Sequence, residues 1–185
     1  ASSEVFGDTG PHAANELSPF RPRSPYAVAK ATAFWDVATY REAYGLYACS
    51  GILFNHESPL RPERFVTRKI TSAAARIANG SKETLELGNL NIRRDWGWAP
   101  EYVETMWGML QLSTAEDFVI ATGSTFSLEE FLHCVFADCG LDWNNHVKIN
   151  QHLARPLDIQ EIRADPSKAK IKLGWVAQHD MKSVA

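Results

Sequence analysis

Long apolar runs, surplus basic charge and paired cysteines are all scarce in this chain, and each scarcity narrows what it does. No uninterrupted hydrophobic stretch approaches the ~20 residues of a membrane-spanning helix, so no membrane partner is expected. Nineteen Lys and Arg stand against 22 Asp and Glu, a net charge of −3. That balance gives no general attraction to nucleic acid or to acidic membranes. The three cysteines, Cys49, Cys134 and Cys139, are too few and too scattered for a disulfide framework. A reducing, cytoplasmic setting is the simplest reading. His133 beside Cys134 lacks a closed ligand set, so the thiols read as packing groups and no metal site is expected. The first residues carry no basic-then-apolar leader pattern that would mark secretion. Neither Gly-x-Gly-x-x-Gly nor Gly-x-x-Gly-x-x-Gly occurs in the 185 residues, so no pyrophosphate cradle at a helix N-terminus is visible.

What is present suits a soluble α/β protein. Hydrophobic residues make up 45% and charged residues 22%, enough for a real core. Val5-Phe6-Gly7 reads as a strand exit, with Ser2 and Glu4 at its carboxyl end, and residues 8–25 as a surface loop. Ser24-Pro25 predicts a helix start, a capping hydroxyl followed by Pro at the first helical position. That helix runs from Pro25 to about Tyr44, with Ala29, Ala33, Val37 and Tyr40 as its apolar spacing and Gly45 as its end. Leu46–Phe54 predicts a central parallel strand buried on both faces. Further helices are predicted over Phe65–Asn79, Pro100–Leu112, from the Ser127-Leu128-Glu129-Glu130 capping box to Cys139, and from Asp165-Pro166-Ser167 to Leu173. Asp117–Thr122 predicts another strand. Phe34, Trp35, Tyr40 and Tyr44 read as packing aromatics, and Trp96, Trp98 and Trp107 as seals between domains. His12, His133, His146, His152 and His179 read as surface or structural groups.

Chemistry concentrates near the start. Tyr26-Ala27-Val28-Ala29-Lys30 places a phenol and an ammonium one turn apart on one helical face. A Lys⁺ so placed favours the phenolate and makes the phenol a usable general base. Ser2 can bond a substrate hydroxyl, and Glu4 can take or give a proton. Taken alone, Glu4 also reads as a solvated strand-end carboxylate. Hydroxyl, carboxylate, phenol and ammonium together suit oxidation of a carbinol and proton movement beside the new carbonyl.

Ser2-x-Glu4, then Arg23-Ser24-Pro25-Tyr26 and Lys30, resemble the extended short-chain dehydrogenase/reductases that act on nucleotide sugars. Gly51-Ile52-Leu53-Phe54-Asn55-His56-Glu57-Ser58-Pro59, Phe65-Val66-Thr67-Arg68-Lys69-Ile70, Gly88-Asn89-Leu90-Asn91, Arg94-Asp95-Trp96-Gly97 and Glu101-Tyr102-Val103-Glu104 narrow the resemblance to the GDP-mannose 4,6-dehydratases. The likeness covers the carboxyl-terminal half of such an enzyme. It implies an incomplete Rossmann-type parallel sheet over residues 1–60 and a smaller mixed α/β substrate domain over 61–185, with residues 97–123 packing back on the first. The stretch therefore reads as a fragment whose glycine-rich half is absent, and it is expected to be inactive as a dehydratase by itself.

By matching position the resemblance implies catalytic roles for Ser2, Glu4, Tyr26 and Lys30. It places Tyr26, Lys30, His56 and Arg61 at an NADP cofactor, and Asn55, Val66, Lys69, Arg94, Arg155 and Asp158 at GDP-mannose. Diphosphate recognition by Lys and Arg agrees with general chemistry. Arg93 reads as a solvated neighbour of Arg94. The family's Arg-Arg-Gly after Ser-Pro is Leu60-Arg61-Pro62 here, and its Arg-Pro-x-Glu is Arg155-Pro156-Leu157-Asp158. A homo-oligomer, dimer or tetramer, is implied for an intact enzyme, with the Leu60-Arg61-Pro62 departure bearing on tetramer formation. The product implied is GDP-4-dehydro-6-deoxy-D-mannose. Glu4 separates a dehydratase from a simple C4 epimerase, and Ser3 replaces the Asp typical of dTDP-glucose dehydratases. Two other readings stand beside it: a different nucleotide-sugar dehydratase or epimerase, and a non-catalytic remnant that binds nucleotide or a full-length partner.

Overall fold

The computed structural model describes residues 1–153 and 157–185. A 3₁₀ turn over Ser3–Phe6 leads through β1 (Ala13–Ala14) to α1 (Pro25–Tyr44). Then come β2 (Gly51–Leu53), β3 (Asn55–Glu57), α2 (Val66–Ala78) and β4 (Leu85–Leu87). β5 (Arg93–Arg94), β6 (Trp96–Trp98), α3 (Ala99–Met109) and β7 (Phe118–Ile120) follow. The chain continues through β8 (Phe126–Ser127), α4 (Leu128–Asp138) and β9 (Val147–Ile149). It closes on β10 (Arg163–Ala164), α5 (Ser167–Leu173) and α6 (Met181–Val184).

Local chemistry sets the helix starts. The Ser24 hydroxyl accepts the Ala27 N–H at 3.1 Å, ahead of Pro25. Ser127 and Glu130 cap α4 reciprocally, each side chain taking the other's backbone N–H, at 2.6 and 3.1 Å.

Residues 51–57 form one extended stretch that changes partner midway. β2 pairs in parallel with β7, Ile52 opposite Val119. Phe54 still donates its N–H to Ile120 O, and β3 then pairs in parallel with β6, His56 opposite Gly97. Side chains alternate across the β2/β7 layer. Ile52 and Val119 join Val5, Phe6, Phe34 and Ile162 on one face, where α1 packs. Phe118, Ile120 and Leu53 join Tyr102, Met109 and Ala169 on the other, under α3 and α5. A separate core of Ile70, Leu87, Trp96, Phe131, Leu132 and Phe136 joins α2, α4, β4 and β6. The change of strand partner lies between these cores, the kind of place where α/β sheets bind ligands.

Several expectations are corrected. The strand expected over Leu46–Phe54 is ordered as strand only from Gly51, and Leu46 and Tyr47 are exposed. Tyr47 instead donates its hydroxyl to Leu112 O at 2.7 Å, and Ser50 its N–H to the Asp117 carboxylate at 2.7 Å. On the side away from β7, β2 carries a parallel bridge from Leu53 to Ser2. The strand exit at Val5–Phe6 is a 3₁₀ turn. α1 buries Ala27, Phe34 and Ala38, whereas Ala29, Ala33 and Tyr40 are exposed. The helix is apolar nearly all round, so the aromatic wedge of Phe34 on Phe20, 4.9 Å between centroids, decides which face turns in. Trp35 and Tyr44 lie on the exposed surface, as does Trp107, and Trp96 alone of the expected tryptophan seals is fully buried.

The 8–25 loop is stitched down rather than free. β1 pairs with β10, Asp8 accepts the Gln160 N–H, and Glu16 accepts the Val119 N–H at 2.7 Å. Gly7 makes the crossing possible. It has φ +67°, and a Cβ there would stand 2.3 Å from Arg21 O. Among the described residues no helix is long and apolar enough to cross a membrane.

Candidate active site

The 3₁₀ turn packs against α1, and the proposed catalytic quartet is distributed over those two pieces. Ser2 caps the turn by accepting the Glu4 N–H at 3.4 Å and is bridged to Leu53. Glu4 is half-buried, anchored beyond by Val5 O accepting the Arg21 N–H at 2.8 Å. Tyr26 stands exposed in the first turn of α1. The Lys30 ammonium lies 5.6 Å from the Tyr26 ring centroid, on the shared face that the four-residue spacing requires. Lys30 also lines a cavity of about 400 Å³ with Ala1, Phe34, Ser50, Gly51 and Met109.

A second group sits where β3 meets β6. His56 Nδ1 is 2.8 Å from Phe54 O, and its ring lies on Tyr102, 5.1 Å between centroids. Because that carbonyl can only accept, Nδ1 is the donor in this contact. The neighbouring Asn55 is half-buried. Arg61 turns inward: Nη1 donates to His56 O at 3.3 Å, Nε lies 3.0 Å from Glu57 Oε2, and the guanidinium stands 4.0 Å from the Phe65 centroid.

The remaining candidates are placed less uniformly. Val66 packs beside the α2/α4 core, and Lys69 donates to Glu86 O at 2.6 Å. Arg94 is buried, donates to Arg93 O at 2.9 Å and lies 3.9 Å from Asp158 Oδ1. Arg155 lies outside the described residues. Arg93 is not simply solvated. It pairs with Glu130 and Glu161, at 3.4 and 3.2 Å, and donates to Thr125 O at 3.0 Å.

Buried polar groups behind these residues escaped the sequence reading. Asp95, fully buried, accepts N–H groups from Thr122 and Gly123 at 3.0 and 2.7 Å. Burial outweighs those donors and pushes its carboxyl up to about 6. Tyr102 has its hydroxyl buried without a hydrogen-bond partner among the described residues, its phenol held well above the ordinary range by burial. It fits because Gly97 has no side chain, a Cβ there falling 2.7 Å from the hydroxyl. Glu57 is buried against Thr67, and burial raises its carboxyl too. His179, read as a surface or structural group, makes a short contact with Glu101. The Glu57/Arg61 spacing of four was the one local sign of any of these pairs.

A mixed α/β chain with parallel strand pairs, helices on both faces of β2/β7 and Tyr-x-x-x-Lys on the helix beside them defines a Rossmann-type short-chain dehydrogenase/reductase fold. Solved structures agree at the level of fold. A dTDP-glucose 4,6-dehydratase from Bacillus anthracis, in complex with NAD, superposes with a TM-score of 0.89 at 17% identity, covering 100% of this chain and 57% of that one. RMD from Pseudomonas aeruginosa, complexed with NADPH, gives 0.87 at 21% identity, covering 100% and 62%. Residues 1–185 match the family model described as GDP-mannose 4,6 dehydratase, and the chain belongs to that family. It is 53% identical over 174 residues to GDP-mannose 4,6 dehydratase 1 of Arabidopsis thaliana, covering 94% of this chain and 48% of the relative. The Drosophila melanogaster GDP-mannose 4,6 dehydratase is 46% identical, covering 95% and 49%. The chain thus spans about half the length of these curated relatives.

Proposed function

We propose that the protein acts as a GDP-mannose 4,6-dehydratase, converting GDP-D-mannose to GDP-4-dehydro-6-deoxy-D-mannose and water. The observation that carries the reading is the Tyr26–Lys30 pair on one face of α1, packed beside the turn that bears Ser2 and Glu4. Ser2 bonds the C4 hydroxyl of the sugar, and Tyr26 takes its proton. Lys30 places positive charge on the face where that phenolate forms. A ketone at C4 acidifies the C5 proton, which Glu4 removes. Glu4 then protonates the C6 hydroxyl as it leaves as water, so one carboxylate is base and then acid, and the proton that Tyr26 took is given up to C5, which balances the step.

The cofactor in this reading is NADP, which when bound supplies transient storage of the hydride taken from C4 and returned to C6. The donors present fit its ribose hydroxyls: the Lys30 ammonium at the cavity wall and the exposed Tyr26 phenol. His56 and Arg61 complete the cofactor side, while Asn55, Val66, Lys69, Arg94, Arg155 and Asp158 take the nucleotide sugar. Residues 1–60 form the cofactor side and 61–185 the substrate side. The β2–β7 pairing, which ties residues 118–120 to 51–53, supports the return of 97–123 to the first part. Exposed Val28, Trp35 and Tyr44 on α1 support a homo-oligomer.

Two measurements test the reading. Calorimetric titration of the chain with GDP, GDP-mannose and UDP-glucose should show binding of the guanine nucleotides in preference to the uridine one. Incubation with GDP-mannose and NADP⁺, followed by mass spectrometry, asks for a 4-keto product lighter by one water from a longer protein that carries these residues and a glycine-rich turn, and for none from the 185-residue chain alone. Equal binding of UDP-glucose would favour another nucleotide-sugar enzyme of the same fold.

A further inference from the structure

We propose that Glu57 is a positioning residue for the sugar-nucleotide cleft, its carboxylate fixing β3, the 58–65 loop and the first turn of α2 in one arrangement. The proposal rests on the reading of that cleft given above. Glu57 is 6% exposed, and Thr67, 4% exposed, donates its hydroxyl to Oε2 at 2.7 Å. The same oxygen faces Arg61 Nε at 3.0 Å, a charge contact off hydrogen-bond alignment, and Oε1 has no hydrogen-bond partner among the described residues.

The elements joined are those that carry the candidate ligand contacts. Asn55 and His56 immediately precede Glu57 on β3. Val66 and Lys69 flank Thr67 in the first turn of α2. Arg61, held by the carboxylate, in turn donates to His56 O. The Glu57–Thr67 bond is therefore a crossbar between the two segments that would meet the nucleotide.

Two physical features argue for placement rather than simple cohesion. α2 follows Phe65 with no side-chain cap among the described residues and no acid in its first turn, so the Glu57 carboxylate supplies from another segment the charge that a helix start favours. A buried carboxylate with one oxygen unpaired is also a costly way to hold two elements together, since packed apolar groups often do so as well or better. What the polar link adds is direction. It fixes the angle and distance of β3 against α2, where an apolar contact permits sliding.

The test uses Glu57→Met, Thr67→Val, Thr67→Ser and the Glu57→Met/Thr67→Val double variant, each confirmed folded by circular dichroism at the working temperature. GDP titration should show roughly tenfold weaker binding for Glu57→Met and for Thr67→Val, and a change within about twofold for Thr67→Ser, which keeps the hydroxyl. The double variant should bind no more weakly than either single one, because each removes one end of the same hydrogen bond. Wild-type affinity in folded Thr67→Val, or additive losses in the double variant, would overturn the proposal. If the wild-type chain does not bind GDP, the substrate reading fails separately. Amide hydrogen exchange then decides about Glu57. Exchange should quicken selectively over residues 58–69 in Glu57→Met and Thr67→Val but not in Thr67→Ser, and unchanged exchange there would refute the link.

Discussion

Asp95 Oδ2 lies 2.7 Å from the backbone nitrogen of Gly123, so a fully buried acid in the middle of the chain pins the turn after β7. The partner oxygen takes Thr122 N–H at 3.0 Å, and the bond ties the segment of β5 and β6 to that of β7. Asp95→Asn keeps the shape but turns one acceptor into a donor facing an N–H. We expect a loss of about 1–3 kcal/mol of stability by urea unfolding, the cost of leaving a buried group unsatisfied.

The same residue gives a pH dependence with a definite sign. Its carboxyl is raised from an ordinary 3.8 to about 6 by burial. The folded state therefore holds the proton where the unfolded state has lost it. The stabilisation is full below the unfolded value and is lost as pH rises through 6, up to about 3 kcal/mol for a shift of this size. Glu130 and Asp180, both lowered by N–H donors, act in the opposite sense at lower pH, so the useful quantity is the difference from Asp95→Asn. The stability gap between wild type and variant should shrink between pH 4 and 7. A gap that widens with pH would show Asp95 ionised throughout and the two N–H bonds dominant.

Elements whose signals are local were legible in the sequence, and those that depend on distant partners were not. Ser24-Pro25 and Ser127…Glu130 mark their helix starts within four residues, and α1 and α4 begin where those caps say. Partner choice along residues 51–57 is non-local. Nothing in Ile52 or His56 announces that the strand leaves β7 for β6 at Phe54. The same holds for charge: Arg93 and Arg94 are indistinguishable as letters, yet a two-residue strand sends one to Glu130 and Glu161 and the other inward toward Asp158. At the candidate site, Tyr26 and Lys30 were visible because one helix carries both. The Glu57–Thr67 link spans ten positions and two elements, and burial, the property that gives it meaning, is not written in either residue.

That difference between adjacent arginines revises what substitution should do. Arg93→Ala removes two ion pairs and a bond to Thr125 O, so it should lower the melting temperature, with a cost of about 1–2 kcal/mol for a partly exposed network. Its GDP affinity, measured while folded, should stay near wild type. Arg94→Ala should weaken GDP binding by roughly 1.5–3 kcal/mol, the range for hydrogen bonds to charged groups. Calorimetric titration beside thermal melts separates the two. Equal affinity losses would mean a diffuse positive field and no residue-level pocket.

Gly7 controls the placement of Glu4 from three residues away. With φ +67° and Arg21 O standing 2.3 Å from any Cβ, Gly7→Ala must displace backbone, beyond the roughly 1–2 kcal/mol of a left-handed alanine. The variant should be destabilised by several kcal/mol or fail to accumulate as folded protein. Gly10→Ala is the control. It shares the positive φ, with nothing within 4 Å of the added carbon, so it should lose only the backbone term. Comparable losses in the two variants would show that crowding at Arg21 is relieved without cost.

The last prediction separates the two acid–base steps of the proposed reaction, read in a longer protein that carries these residues. Tyr26→Phe removes the group proposed to take the C4 hydroxyl proton, so neither the ketone nor the dehydrated product should form. Glu4→Gln leaves Tyr26 and Lys30 in place on α1 and leaves the Ser2 bridge to Leu53 untouched. A carboxamide cannot accept the C5 proton or return one to the leaving hydroxyl. Loss of water should therefore fall by about 10²–10⁴-fold, the usual contribution of a positioned acid–base group, while oxidation at C4 persists. Deuterium at C5 of the substrate sharpens the distinction, because exchange with solvent reports proton removal without requiring water loss. Glu4→Gln should abolish that exchange. If exchange continues at the wild-type rate, another group is the base at C5 and Glu4 is only the solvated carboxylate that its position at the edge of the turn also allows.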